Sequence, residues 1–378
     1  MAEPPLRCAR LLPYRLPLLA PWVTSRGRWV GRCGLLLRLE DAAGVTGYGD
    51  CAPWPEFGTE TAMVARRQLE QFILGCAGRQ AADLLALVDH LGAQWRETPA
   101  ARNAVETAVL DLTAKRAGVP LARLLDPDAA PSVAVSARLG PMDEGLESRA
   151  LAATRQGFTV LKIKITVPPG DAIERLEDLT AHLEPGIRLR LDANGMWDGE
   201  TAVRVLTALN KLAVESLEEP LDACSPEMLS RLQGLVDFPI ALDESLSGRN
   251  AEDLLERCPV RRLVLKPIAH GGPRRCLALA RKAYGEGKEA VITSAIESVV
   301  GTRGALHLAA ALPGAGVHGL VTDNWLAGDV GEALDARAGH MHIGAVAGLG
   351  YCPDEELENA FLGDFSEQTP WIPTAIAG

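Results

Sequence analysis

Paired cysteine motifs are missing from this chain. Its eight cysteines (Cys8, Cys33, Cys51, Cys76, Cys224, Cys258, Cys276 and Cys352) lie far apart in 378 residues, with no CxxC pair. That spacing excludes a zinc-ribbon site, and at this length it reads as a reduced, cytoplasmic set rather than a disulfide framework. Excess positive charge is missing too. A net charge of −11 argues against nucleic acid or an anionic membrane as main partner, while leaving room for a local basic pocket. No apolar run approaches the roughly 20 residues of a membrane span. The stretch LPLLAPWV after Arg15 holds two prolines and lacks a small-residue cleavage site, so it makes a poor signal peptide. Low-complexity linkers are absent, and of the seven histidines only His318 sits near the end of a candidate strand.

What is present is a chain of ordinary globular composition, 47% hydrophobic and 23% charged, long enough for two domains. Residues 1 to about 55 read as strands. CGLLLRL (33–39) and VTGYGD (45–50) flank a turn holding Gly44. Residues 59–118 read as helices, one run following Thr59 and a second spanning Ala100 to Ala117 with Gly118 as C-cap. Strands first and helices after indicate an α+β module. From about residue 131 the pattern alternates, and eight candidate strands appear: 133–139, 159–165, 187–193, 213–219, 239–245, 261–267, 290–295 and 318–323. Helices fit between them, with expected starts at Asp171 (as cap), Ser225–Pro226 and Pro273. The fold class expected is α/β, a TIM-like barrel after an α+β domain over residues 1–120. The barrel would occupy 121–325, and the Gly/Pro-rich segment 326–378 would pack back onto the first domain.

Five of the barrel runs carry charge in order: LKIKI (Lys162, Lys164), RLDAN (Asp192), SLEEP (Glu218), ALDES (Asp243) and LVLKP (Lys266). From Lys162 onward the steps are 30, 26, 25 and 23 residues. A strand, a helix and two loops need about 30 residues, and catalytic groups of such barrels sit at the C-terminal strand ends. Taken singly, LKIKI fits a half-exposed strand with solvated lysines, and DES or EEP fits a helix cap. The ordered set does not reduce to those readings. Alternate strand residues share a face, so Lys162 and Lys164 point together, as do Arg190, Asp192 and Asn194.

Asp192, Glu218 and Asp243 make an all-oxygen ligand set, which suits Mg²⁺, or Mn²⁺ as substitute, better than zinc. A cation beside Lys164 lowers its pKa toward that of a working base. Lys266, four strands along, would face it across the barrel. A substrate between two lysines, with one carboxylate on the metal, undergoes proton abstraction α to that carboxylate, since metal and cations together stabilise the enediolate. Elimination or reprotonation follows. Asn194 and Glu244 are expected to orient the ligands, and His270 and His307 to be structural.

These residues carry a resemblance. KxK on the second strand, Asp-Ala-Asn on the third, Glu-x-Pro on the fourth, Asp-Glu-Ser on the fifth and Lys-Pro on the sixth resemble the muconate-lactonizing subgroup of the enolase superfamily. The likeness covers nearly the whole chain and implies a capping domain before a (β/α)7β barrel. Within the subgroup, GYGDCAPWPEFGTET (47–61), LRLDAN (189–194) and AVITSAIESVVG (290–301) are most similar to the o-succinylbenzoate synthases of menaquinone biosynthesis. That resemblance implies a Mg²⁺-dependent hydro-lyase whose ligands are Asp192, Glu218 and Asp243, Glu218 being chosen over Glu219. Lys164 would be the base that then helps water leave, Lys162 would neutralise the substrate carboxylate, and Lys266 would stabilise charge from the opposite face. Arg190, Thr293, Ser294 and Gly319 would contact substrate. Partners would be a small-molecule carboxylate, with no nucleic acid and no membrane, and a homo-oligomer left open.

Two departures, Ala295 in the seventh-strand run and Val321 in the eighth, touch the tail-binding end. N-succinylamino acid racemases and dipeptide epimerases of the superfamily share the lysine pair. Dipeptide epimerases typically carry Asp-x-Asp on the eighth strand, where this chain has only Asp323. A non-catalytic metal-binding barrel fits poorly with six intact ladder positions.

Overall fold

The computed structural model describes residues 4–373 apart from 25–26, 91–94, 224, 247–253, 255, 258–259, 315, 322–324, 355, 357–359 and 361–370. Two long strands, β1 (Leu6–Thr24) and β2 (Gly27–Asp41), pair antiparallel, and β3 (Thr46–Cys51) adds to β2 through a turn in which Gly44 takes φ +83°. The alanine-rich helix Pro99–Ala117 lies on this sheet. It approaches closely because β3 presents glycines there: a Cβ on Gly49 would stand 1.9 Å from the Ala104 carbonyl oxygen, and one on Gly47 2.2 Å from that of Ala108. Gly118 ends the helix at φ +68°, as its position in the sequence implied. The first helix, Ala62–Leu74, is capped by Thr61, whose side chain accepts from Val64 N. Thr59 instead accepts from Trp54 N and shapes the preceding turn.

The alternating half is a (β/α)7β barrel. Seven parallel strands run in order: β5 (Ala137–Pro141), β6 (Val160–Lys164), β7 (Arg188–Asp192), β8 (Val214–Glu218), β9 (Ile240–Leu242), β10 (Arg262–Leu265) and β11 (Glu289–Ile292). Closure comes from β12 (Val317–His318). It pairs parallel with β4 (Ser132–Val135), the first half of the strand that continues as β5, and a bridge joins Gly319 to Thr293 beyond β11. Seven of the eight expected strands are present in place; the eighth, expected over 318–323, is a strand only at Val317–His318 with a bridge at Gly319, and residues 322–324 lie outside the described residues. Ser225 caps the helix Pro226–Gln233 and Pro273 opens the helix Pro273–Gly285. Asp171 is not a cap: the helix Pro169–His182 begins two residues earlier, at a proline with nothing to lose at N1.

Outward-facing Leu and Ile of the strands pack against the helices, with Leu161, Ile163, Leu189 and Leu191 fully buried. Inside the barrel lie Ala241, Val264 and Val291. A second apolar cluster fills the first module, and a third joins it to the barrel through Tyr14, Tyr48 and Trp54 on one side and Ile268, Ile296 and Val300 on the other. A last strand, β13 (Trp371–Pro373), pairs antiparallel with β2.

Candidate active site

Strand register gathers the charged ladder at one end of the barrel. Lys164 pairs with Asp192 and Asp192 with Glu218, so the three strand ends are level. A cavity of about 400 Å³ opens over them, lined from the barrel by Lys162, Lys164, Asp192, Asp243, Glu244 and Lys266 and from the first module by Trp29, Trp54, Glu56 and Phe57. Lys162 Nζ lies 3.1 Å from Asp192 Oδ2 and also bonds Glu218; on the opposite side of the barrel Lys266 Nζ bonds Asp243 of the neighbouring strand end. Thr293, Ser294 and Gly319 line the same cavity.

Arg190 does not. It is wholly buried two residues below Asp192, where it forks onto Glu215 (3.0 and 3.1 Å) and donates to the Val317 carbonyl (2.8 Å). Arg262 reaches the same Glu215 at 2.6 Å. Burial would raise the Glu215 carboxyl, but the two guanidiniums hold it down at about 2. Arg190 thus closes the barrel floor, and the expectation that it touches substrate is corrected. Depth alone does not decide this, because Lys162 pairs in register with Arg190 and still reaches the cavity; Arg190 is turned away by its bonds to Glu215 and the Val317 carbonyl.

Electrostatics divide the lysines. Lys164 is pulled below the ordinary lysine value mainly by burial, with Arg138 and Lys162 adding to the effect against Asp192. Lys162 and Lys266 are raised: burial opposes the charged form, but Asp192 and Glu218 around Lys162, and Asp243 and Glu244 around Lys266, more than offset it. One lysine is therefore disposed to give up its proton and two to keep theirs. Lys266 also lies 5.1 Å from the Phe57 ring centroid, a contact from the first module.

The carboxylates fit a hard divalent cation in kind. As placed, no three His, Cys, Asp or Glu side chains among the described residues form a metal cage, because the acids are turned onto the lysines. Yet Glu218 Oε1 is buried without a hydrogen-bond partner, its other carboxylate oxygen being held by Lys162. An orphaned carboxylate oxygen is what a cation would satisfy. Glu219 is otherwise engaged: at φ +43° its carboxylate accepts from Asp243 N (2.6 Å), Ser245 N (2.9 Å) and Ser245 Oγ (2.8 Å), anchoring the loop that carries Asp243. Asn194 Nδ2 donates to Glu244 Oε1 at 3.2 Å, and burial beside Asp243 pushes the Glu244 carboxyl to about 8.

Comparison with known proteins agrees with this layout. Residues 146–357 match the model of the enolase C-terminal domain-like family, and residues 10–126 match the N-terminal domain of the mandelate racemase/muconate lactonizing enzymes. The chain belongs to the enolase superfamily. Among superfamily relatives, the o-succinylbenzoate synthase of Thermosynechococcus vestitus is 31% identical over 82% of this chain and 91% of its own. The N-succinyl Arg/Lys racemase structure from Bacillus cereus superposes with a TM-score of 0.86 at 21% identity, covering 95% of this chain and 98% of that one. A dipeptide epimerase from Enterococcus faecalis, complexed with Mg and L-Leu-L-Tyr, superposes at 0.83 with 24% identity, covering 92% and 99%.

Arg138 was missed in the sequence. It faces the cavity from β5, in register with Lys162, and its guanidinium carbon lies 4.6 Å from the Trp325 ring centroid. Burial lowers it to about 10 against the pull of Asp192, Glu218 and Asp243. The available signal was positional: Ser136, Arg138 and Gly140 all line the cavity, but their strand ends in no ladder charge.

Proposed function

We propose that this protein is an o-succinylbenzoate synthase, a hydro-lyase that dehydrates 2-succinyl-6-hydroxy-2,4-cyclohexadiene-1-carboxylate to 2-succinylbenzoate in menaquinone biosynthesis, acting in the cytoplasm. The observation that carries this reading is the opposition of a lysine with lowered pKa, Lys164, to a raised one, Lys266, across a cavity that Asp192 and Asp243 also line, with Glu218 bonded to Lys162. The synthase relative, matched over nearly its full length, supports this substrate. The reading also divides the chain into a cap, 1–120 with 326–378, and a barrel, 121–325.

Asp192, Glu218 and Asp243 would hold Mg²⁺, or Mn²⁺ in its place, which would supply fixed positive charge for the substrate carboxylate. Neutral Lys164 takes the proton from the carbon α to that carboxylate. The electron pair of the broken C–H bond is held as negative charge beside Lys162, which stays protonated. That pair then forms the ring double bond as the C–O bond breaks. The Lys164 ammonium returns its proton to the departing hydroxyl, so water leaves and Lys164 is neutral again. Lys266 remains charged on the opposite face and opposes loss of the developing charge. Trp54 and Phe57, with ring centroids 4.5 Å apart, line the cavity from the first module and give that wall apolar character.

Purified protein with Mg²⁺ and the cyclohexadiene substrate should remove the diene absorbance; no loss would end the synthase reading. A second reading, N-succinylamino acid racemase, draws on the same lysine opposition, since Lys266 could return a proton to the face opposite Lys164. Deuterium exchange into N-succinylamino acids in D₂O, without diene turnover, would favour it.

A further inference from the structure

Around the barrel mouth the metal-type carboxylates and the lysines occupy strands β6 to β10. The remaining sector, β11, β12 and β5, holds different chemistry. Among its described cavity-lining residues only Arg138 is charged. Thr293, on the neighbouring side of that sector, is 6% exposed and its Oγ1 has no hydrogen-bond partner although it lines the cavity. Between them Gly319 has no side chain, and a Cβ there would stand 2.8 Å from Thr293 Cγ2. A glycine that keeps a gap open, an unsatisfied buried hydroxyl and a guanidinium thus converge on one side of the cavity.

We propose that Arg138 determines specificity by anchoring a second carboxylate, at the far end of the substrate, in this sector. The inference rests on the reading above in that the substrate's first carboxylate goes to the Asp192–Glu218–Asp243 side. Arginine suits the role by geometry. Its guanidinium carbon lies 4.6 Å from the Trp325 ring centroid, a contact that restrains the group at the cavity, and a guanidinium edge can fork onto the two oxygens of a carboxylate. Register alignment with Lys162 sets the anchor one strand from the reacting end, so a short chain can join the two carboxylates. Thr293 Oγ1 adds a hydroxyl donor beside the tail. The ligand class that follows is a dianion with one carboxylate on the reacting carbon and a second at the end of a short flexible chain.

Two ligands separate this from a general electrostatic role: 2-succinylbenzoate and its analogue with the terminal carboxylate converted to a carboxamide. Calorimetric binding to the Mg²⁺-loaded protein should favour the dicarboxylate by roughly 10- to 100-fold, the range for a hydrogen-bonded charged contact. Arg138→Gln should abolish that preference, weakening the dicarboxylate while leaving the carboxamide nearly unchanged. With turnover substrates the same loss should fall on KM, with kcat within a few-fold. Equal weakening of both ligands, or no preference in the wild-type protein, would overturn the proposal. If Arg138→Gln fails to fold, Arg138→Lys takes its place, and a preference equal to wild type would overturn the forked contact. Binding is read without turnover, so a protein that ignores the diene yet keeps an Arg138-dependent preference would lose the synthase reading and retain the anchor.

Discussion

Arg32 is the perturbation that best tests how cap and barrel are joined. Only 1% exposed, it donates to three carbonyls: Ile296 at 3.1 Å on the barrel side, and Ala52 at 2.9 Å and Pro53 at 3.3 Å on the cap loop. Its guanidinium carbon lies 4.4 Å from the Trp54 ring centroid. Both Trp54 and Ile296 line the cavity, and Ile296 sits at φ +57°, a conformation a β-branched residue adopts only when held there. Arg32→Met keeps the side-chain volume and removes every donor. Each buried carbonyl left bare costs about 1–3 kcal/mol, and the new apolar packing returns part of that, so about 4 kcal/mol of stability should be lost. Asp50 and Glu297, buried nearby, should make the loss depend on pH. Burial raises them to about 6 and about 7, and Arg32 restrains both. A carboxyl raised on folding subtracts stability as pH climbs from its unfolded to its folded value. Without Arg32 those folded values rise further, so the variant should be worse at pH 8 than at pH 5.5. Urea unfolding followed by tryptophan fluorescence at both values measures this. A cost below about 1 kcal/mol at either pH, or a penalty larger at pH 5.5, would refute the reasoning. KM should rise as the Trp54 side of the cavity loosens.

Lys164→Ala should lower turnover by ~10⁴-fold while Mg²⁺ still raises the melting temperature, because the carboxylates remain; retained activity would remove Lys164 as the base. Three buried histidines should make the fold acid-labile. His270, His307 and His318 are pushed by burial to about 3, about 4 and about 3, and the Nδ1 atoms of His307 and His318 accept from Ala122 N and Ile292 N. For depressed groups stability is present above pH 6.5 and is lost as pH falls toward these values, so His307→Gln should flatten the slope of unfolding free energy between pH 6.5 and 4. Gly49→Ala should cost about 1–3 kcal/mol or more by forcing β3 from the helix Pro99–Ala117, as read by thermal melting of the whole protein.

The barrel was legible because each of its strands is written locally. A run such as TVLKIKI or IRLRLDA buries alternate residues on two faces and announces its own end with a charge. The spacing of those charges then needs no tertiary information, because one βα unit has a fixed length. Arg190 shows where local writing fails. It shares the inward face of Asp192, but a face does not state what a side chain bonds, and its partners Glu215 and Val317 come from other strands. Glu215 itself falls at a register irregularity between β7 and β8, which strand periodicity does not foretell. The Asp171 cap failed for a simpler reason, since the proline at position 169 is content to start a helix earlier.

The same distinction separates chemistry from specificity in this chain. Proton abstraction needs groups at strand ends of consecutive units, so its residues recur at nearly constant intervals. On the proposed reading, the rest of the substrate would be recognised by residues that line the cavity from scattered segments: Trp54 and Phe57 from a loop more than 100 residues before Lys164, Arg138 from the opening strand, and Thr293 from the seventh. Arg138 and Thr293 stand one repeat from the ladder, 24 residues before Lys162 and 27 after Lys266, yet neither carries a ladder-type charge pattern, and Arg138 acquires its meaning from a neighbour distant in sequence, Trp325. A barrel of this kind can therefore exchange one substrate for another by altering the cap and the β11–β12–β5 sector while every member of the charged ladder stays in place.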